Sequence, residues 1–206
     1  GVGGVTVSGF TIRGAVQEGG TASLPGAQAV TGILIYNSDN NVIENNILVN
    51  NLWHVFVCAE WSTAGSKYLG SSCKNNRIAN NIMRDSEQDG VYLYSDGSVF
   101  VEDTEIVNNE ISNAYGEQAS GVEFWGWRAG EGDPTITNTV VKGNLITGCT
   151  YGVRIKEGVS DITGTSVNYN NGKGGEVGNR SRDSVIFSIN HAVQLYPFTY
   201  CFVIVG

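Results

Sequence analysis

Asn41 to Asn51 reads NVIENNILVNN, and its centre, Ile43 to Leu48, has the form apolar, x, Asn, Asn, x, apolar. The same unit returns as IANNIM at Ile78 to Met83, IVNNEI at Ile106 to Ile111 and VKGNLI at Val141 to Ile146, with a degenerate copy, VSGFTI, at Val7 to Ile12. Its first residue falls at Val7, Ile43, Ile78, Ile106 and Val141, so the intervals are 36, 35, 28 and 35 residues. Self-similarity at such a period marks a solenoid.

Each unit is followed by a short alternating segment. These are Gly32 to Tyr36, His54 to Val57, Gly90 to Tyr94, Gly121 to Trp125 and Gly152 to Lys156. Alternation reads as strand. Two strands per repeat are too short to form a sheet alone, but they bury a continuous core if equivalent strands of successive repeats pair in parallel. The expected fold is therefore all-β, a parallel β-helix of about five to six coils with irregular loops. The second Asn of each unit, Asn46, Asn81, Asn109 and Asn144, is expected to point inward at a turn and bond its equivalent one coil along. Such a ladder satisfies polar groups that are costly to bury unpaired.

Composition bounds the function. The 206 residues fit one domain, with regular coils over about 5–165 and a degenerate coil, a loop and an apolar strand over 166–206. A formal charge of −8 and 28 glycines against 3 prolines argue for many turns and against binding nucleic acid or an anionic membrane, both of which need a basic field. No apolar run reaches the ~20 residues of a membrane helix, so no membrane insertion is expected. No signal-peptide pattern stands at the first residues, which reads as a mature or excised chain. Cys58, Cys73, Cys149 and Cys201 form no C-x-x-C pair, which argues against structural zinc. Cys58 and Cys73 flank one loop and are the first candidates for a disulfide, which leaves Cys149 with Cys201; four buried free thiols are the alternative. Few lysines, many Asn, Gly and Tyr, and these candidate bridges favour an extracellular or cell-surface setting.

The motifs VIENNILVNN, RIANNIM, EIVNNEI and VVKGNLITGCTYGVRI resemble the right-handed parallel β-helix proteins of the pectate-lyase-like superfamily over roughly residues 5–157. The resemblance implies a right-handed coil. It does not choose an activity, because this repeat occurs in lyases, hydrolases, epimerases, phage tailspikes and non-catalytic surface proteins. Arg154-Ile155-Lys156 is similar to the Arg-Ile-Lys motif of polygalacturonases, which would make Arg154 and Lys156 binders of a uronate carboxylate. The other motifs of that family are absent, apart from a faint likeness at Gln88-Asp89-Gly90.

Strand parity assigns the outward residues of the second strand to two columns. One runs Leu34, Phe56, Tyr92, Glu123, Arg154 and the other Tyr36, Cys58, Tyr94, Trp125, Lys156, with Trp127 just beyond. Exposed rings beside Glu and Arg suit a sugar-binding groove, since ring faces stack on pyranose C–H faces. Two alternatives compete with that reading: Glu123 pairs with Arg154 as a plain ladder contact, or a loop or second subunit covers the patch. The candidate binding set is Tyr92, Tyr94, Trp125, Trp127, Arg154, Lys156, Phe56 and His54; His54 stands where other coils have Gly, just before an inward Val, and a structural role is the alternative reading of it. Glu123 and Asp89 are the candidate acid/base pair, with Cα atoms expected about 11 Å apart from strand and coil spacings. Hydrolysis needs their carboxyl groups ~5–9.5 Å apart, so the side chains must lean together.

No cofactor is expected. A lyase of this type would use calcium, but the nearest acidic group, Asp85, Glu87 and Asp89, reads as a solvated turn. The absence of HExxH, of a nucleophile elbow and of a Cys/His set excludes the corresponding protease and esterase classes. Two functions follow: a protein that engages polysaccharide as a lyase, glycosidase or epimerase-like protein, or a structural module whose coils and apolar Tyr196 to Gly206 strand join end to end as a homo-oligomer or filament.

Overall fold

The structure, a computed structural model, describes residues 3–16, 30–59, 72–96, 100–127, 135–155, 166–170 and 186–189. Its local logic lies in the Asn-Asn pair, whose two members do different work. The first takes a positive φ, 56° at Asn45, 55° at Asn80 and 55° at Asn108, with Gly143 in the same place at 66°. Among residues with a Cβ, Asn enters this left-handed region most readily. The chain turns a corner there, and the second Asn then points inward.

This corner recurs every five residues, three times per coil. Gly4, Asn40, Asn75, Asp103 and Asn138 form one column of corners, and Gly9, Asn45, Asn80, Asn108 and Gly143 the next. Gly14, Asn50, Asp85, Asn113 and Gly148 form the third. The strands between corners are three residues long. The first coil holds β1 (Thr6–Ser8), β2 (Thr11–Arg13) and β3 (Thr31–Tyr36); the second holds β4 (Val42–Glu44), β5 (Ile47–Val49), β6 (Trp53–Cys58) and β7 (Ser72–Lys74). The third comprises β8 (Arg77–Ala79), β9 (Ile82–Arg84), β10 (Val91–Asp96) and β11 (Phe100–Glu102), and the fourth β12 (Glu105–Val107), β13 (Glu110–Ser112), β14 (Ser120–Trp127) and β15 (Thr135–Thr137). Then come β16 (Val140–Thr147), β17 (Tyr151–Ile155), β18 (Ser166–Asn170) and β19 (Ile186–Ile189).

All pairings among the described strands are parallel and in the expected register, with Ile43 beside Val7 and Ile78, and Ile106 beside Ile78 and Val141. β3, β6, β10, β14 and β17 form the second sheet. A third sheet, β7-β11-β15, corrects the expectation of two strands per repeat with irregular loops between repeats. Three residues cannot display an alternation, yet Cys73, Val101 and Ile136 from these strands are fully buried. The degenerate coil expected from residue 166 opens with β18, whose register against β16 shifts between Val141 and Asn144.

Inside, like stacks on like. Ile43, Ile78, Ile106 and Val141 form one buried row and Leu48, Met83, Ile111 and Ile146 another, facing Val55, Val91, Val122 and Val153 across the core. The ladder is as expected: Asn46 Nδ2 donates to Asn81 Oδ1 (3.1 Å), Asn81 to Asn109 (3.0 Å) and Asn109 to Asn144 (2.9 Å). Each Oδ1 also accepts the backbone N–H of the preceding rung. A flanking rung not foreseen from the sequence joins Asn41 to Asn76 (2.9 Å); its column continues as Thr104 and Thr139, so composition hides it.

Of the two cysteine readings, the Cys58–Cys73 bridge gives way to the buried thiols: Cys58, Cys73 and Cys149 are buried and carry no disulfide. Cys58 lies on the outer face of β6, whereas Cys73 points into the core and donates its thiol to the Cys58 carbonyl oxygen (3.2 Å). Burial pushes the Cys73 thiol up to about 11, which keeps it protonated and inert. Cys201, His191, the Gly172 to Asp183 loop and the Tyr196 to Gly206 segment lie outside the described residues.

The two members of the pair predict opposite sensitivities. Asn109→Ala leaves the Asn81 backbone N–H without its acceptor and takes one donor each from Asn144 Oδ1 and the Ile78 carbonyl oxygen, and is expected to cost about 3 kcal/mol or more in urea unfolding. Asn108→Gly keeps the left-handed corner and is expected to stay within about 1 kcal/mol of the parent.

Candidate functional site

The second sheet carries the two outward columns in the predicted register: Leu34 beside Phe56, Phe56 beside Tyr92, Tyr92 beside Glu123 and Glu123 beside Arg154. Tyr36, Cys58, Tyr94 and Trp125 align likewise. Lys156 and the side chain of Trp127 lie outside the described residues.

A third column precedes the glycines: Thr31, Trp53, Asp89, Ser120 and Tyr151. Its signal was present in the sequence as the residue before each Gly32-type position. Trp53, Ser120 and Tyr151 stand one step before the alternating segments that define the two expected columns.

The rings close on one another. Phe56 and Tyr92 stack with centroids 4.8 Å apart, Trp53 stacks on Tyr92 at 5.7 Å, and Trp125 meets Tyr94 edge-on at 5.7 Å. Phe56, Tyr92 and Tyr94 are consequently 1%, 4% and 1% exposed, which corrects the expectation of an open aromatic face. Rings repeated at the spacing of adjacent coils cover each other's faces. Trp53 and Trp125 remain partly exposed at the edge of the cluster.

A polar chain borders the rings and crosses four coils. Trp53 Nε1 donates to Asp89 Oδ2 (3.1 Å) and the Ser120 backbone N–H to Asp89 Oδ1 (2.8 Å). Ser120 Oγ donates to Glu123 Oε2 (3.2 Å), and Arg154 Nη1 lies 3.5 Å from the same oxygen. Arg154 also donates to the Gln118 carbonyl oxygen (3.0 Å) and sits over the Tyr151 ring, 4.5 Å from its centroid. Asp89 and Glu123, expected about 11 Å apart at Cα, thus lean onto one serine, and both carboxylates are nearly fully buried. Burial, followed by the charges of Glu123 and Asp89, holds the Tyr92 phenol well above its usual range, so it remains a neutral proton donor.

This arrangement unites Asp89, Glu123, Tyr92, Tyr94, Phe56, Trp125 and Arg154. His54 is elsewhere. Its column is otherwise glycine, and a Cβ at Gly90 or Gly121 would meet Ile111 Cγ2 at 2.5 Å or Ile146 Cγ2 at 2.4 Å. The position therefore points into the core, which corrects the expected groove-facing role. Fully buried, His54 accepts a hydrogen bond at Nδ1 from Asn51 Nδ2 (3.0 Å), while its Nε2 has no partner among the described residues. No group of three or more potential metal ligands occurs among the described residues.

A family model described as "Right handed beta helix region" matches residues 1–192. The chain belongs to this family. As a right-handed β-helix it inherits a scaffold and no particular chemistry. No curated protein matches it. Among solved structures it is similar to the Azotobacter vinelandii mannuronan C-5 epimerase AlgE6 A-module at 16% identity, over 78% of this chain and 55% of that one, with a TM-score of 0.20. The chain thus spans about half the length of that module.

His54 gives the site's surroundings a defined pH response. Desolvation lowers its pKa from 6.5 to about 4, against smaller opposing effects of the Arg84 carbonyl and the Asp85 charge. The unfolded chain takes up this proton first, so the neutral histidine's contribution is intact above pH 6.5 and is lost as pH falls through about 4. The loss is on the order of 3 kcal/mol. Urea unfolding of the parent and of His54→Gly between pH 7 and 4 should diverge by that amount, and parallel curves would contradict it.

Proposed function

We propose that this β-helix engages a polysaccharide at the edge of the second sheet, where Trp53, Trp125, Tyr151 and Arg154 border the ring cluster. The observation that carries the reading is the pair of buried carboxylates, Asp89 and Glu123, tied to one serine beside the Tyr92 phenol, with Arg154 at the rim. Burying two carboxylates is expensive unless they are well bonded, and acid/base chemistry on a sugar uses paired carboxylates of this kind. Partly exposed indole rings offer stacking faces for pyranose rings. In this reading Arg154 holds a hydroxyl or carboxylate of the sugar, Glu123 and Asp89 form the acid/base pair, and the setting is extracellular or at the cell surface.

A purely structural module is the second reading, favoured by the closure of Phe56, Tyr92 and Tyr94 on one another and by the ladder contact between Glu123 and Arg154. Binding separates the two. On an array of neutral and uronate oligosaccharides, Arg154→Ala, checked for folding by its unfolding midpoint, is expected to weaken the best ligand about 10- to 100-fold. Glu123→Gln is expected to retain binding and abolish turnover. An array without ligands, or equal binding by Arg154→Ala, removes the polysaccharide reading.

A further inference from the structure

One outer face of the solenoid is its own complement. On β4, β8, β12 and the start of β16, the residues that flank the buried Ile43, Ile78, Ile106 and Val141 point outward. They form two columns: Val42, Arg77, Glu105, Val140 and, beside it, Glu44, Ala79, Val107, Lys142. Taken from the last of these coils back to the first, both columns return with every charge reversed and every apolar residue kept.

We infer that this face is the interface of a weak dimer, in which two copies of the chain pack face to face about a two-fold axis running along the strands, midway between β8 and β12. That axis reverses the order of the coils and keeps each residue in its own column. It sets Arg77 opposite the partner's Glu105, Glu44 opposite the partner's Lys142, Val42 opposite the partner's Val140 and Ala79 opposite the partner's Val107. Other placements fail. An axis over β8 puts Arg77 on Arg77, an axis over β12 puts Glu105 on Glu105, and an axis parallel to the solenoid puts every charge on an apolar residue of the same coil. The neighbouring face lacks the pattern, since the same operation on β5, β9 and β13 sets Ile82 against Glu110.

Charge complementarity of this kind selects a second copy as the occupant. Two copies at −8 each repel, yet on this face Arg77 and Lys142 balance Glu44 and Glu105. Arg77 and Glu105 already pair within one chain, with side chains 41% and 49% exposed, so across the axis the four groups close a ring of alternating sign. Facing sheets lie ~10 Å apart, a gap that Arg, Glu and Lys side chains reach across. Ala79 and Val107 are short and shaded by their neighbours, so they do not hold the copies apart. Four coils at ~4.8 Å by three residues make a small contact, which places the dimer in the weak class. The inference uses no residue of the polysaccharide reading, and either can fail without the other.

Sedimentation equilibrium of the 206-residue chain at low salt, over a range of concentrations, tests it. A monomer–dimer equilibrium is expected that weakens as salt is added. Glu44→Lys and Lys142→Glu each set like charges opposite one another at both ends of the face. Either alone is expected to raise the dissociation constant about 10- to 100-fold, with an unfolding midpoint close to the parent's. Mixed one to one, the two variants restore every opposition, so they are expected to associate as tightly as the parent and only as a heterodimer. Both remain net acidic, so overall charge does not draw them together. Monomers at every concentration overturn the inference. So does a dimer that survives either single reversal, or a mixture that associates no better than its parts.

Discussion

A parallel solenoid must turn its chain at every corner, and each corner leaves, on its buried side, a backbone N–H that the strand ladder does not pair. The Asn-Asn pair meets both demands at one place. Its first member accepts the left-handed conformation that bends the chain, and its second fills the inside of the bend with an amide that bonds the rung before and the rung after. The hydrophobic rows depend on this arrangement, because only a fixed corner puts Ile43, Ile78, Ile106 and Val141 above one another. Where Gly143 replaces the first Asn, β16 runs through the corner as a single strand, paired to both β12 and β13, yet Asn144 still holds its rung.

The parts of the fold that follow from parity and period were legible in the sequence. Strand alternation places Phe56, Tyr92, Glu123 and Arg154 in one column, and the structure has them there. Parity gives a direction, however, and says nothing of what lies in that direction. The rings point away from the core as expected but are buried, because neighbours at coil spacing cover them. Strands of three residues around Cys73, Val101 and Ile136 are too short to carry a pattern, so a whole sheet passed as loop. Two cysteines bordering one loop suggest a bridge only until one is seen to face in and the other out. The position of His54 among glycines signalled an exception, and the exception is an imidazole packed inside.

The site inherits its geometry from the same stacking. Asp89, Ser120, Glu123 and Arg154 come from three successive coils, so no local motif could announce them. The contacts between coils depend on register, and a shift of one residue in β14 would part Ser120 from Asp89 and Glu123 from Arg154. Burial of that acidic pair beside a phenol that stays protonated makes the edge of the second sheet chemically distinct from the ion pairs of the outer faces, such as Arg84 with Glu110. Those pairs lie in water and contribute little.

The ladder also has a direction. Each Oδ1 of the described column accepts from the coil before it, while Asn46, Asn81 and Asn109 each donate one side-chain N–H to the next coil's Oδ1 and another to a carbonyl oxygen of the coil before. Amide dipoles aligned in this way polarise their neighbours, so each bond strengthens the others. The row of Oδ1 acceptors therefore has a sense along the solenoid axis, all of them turned to the coil before, set by which way the asparagines point.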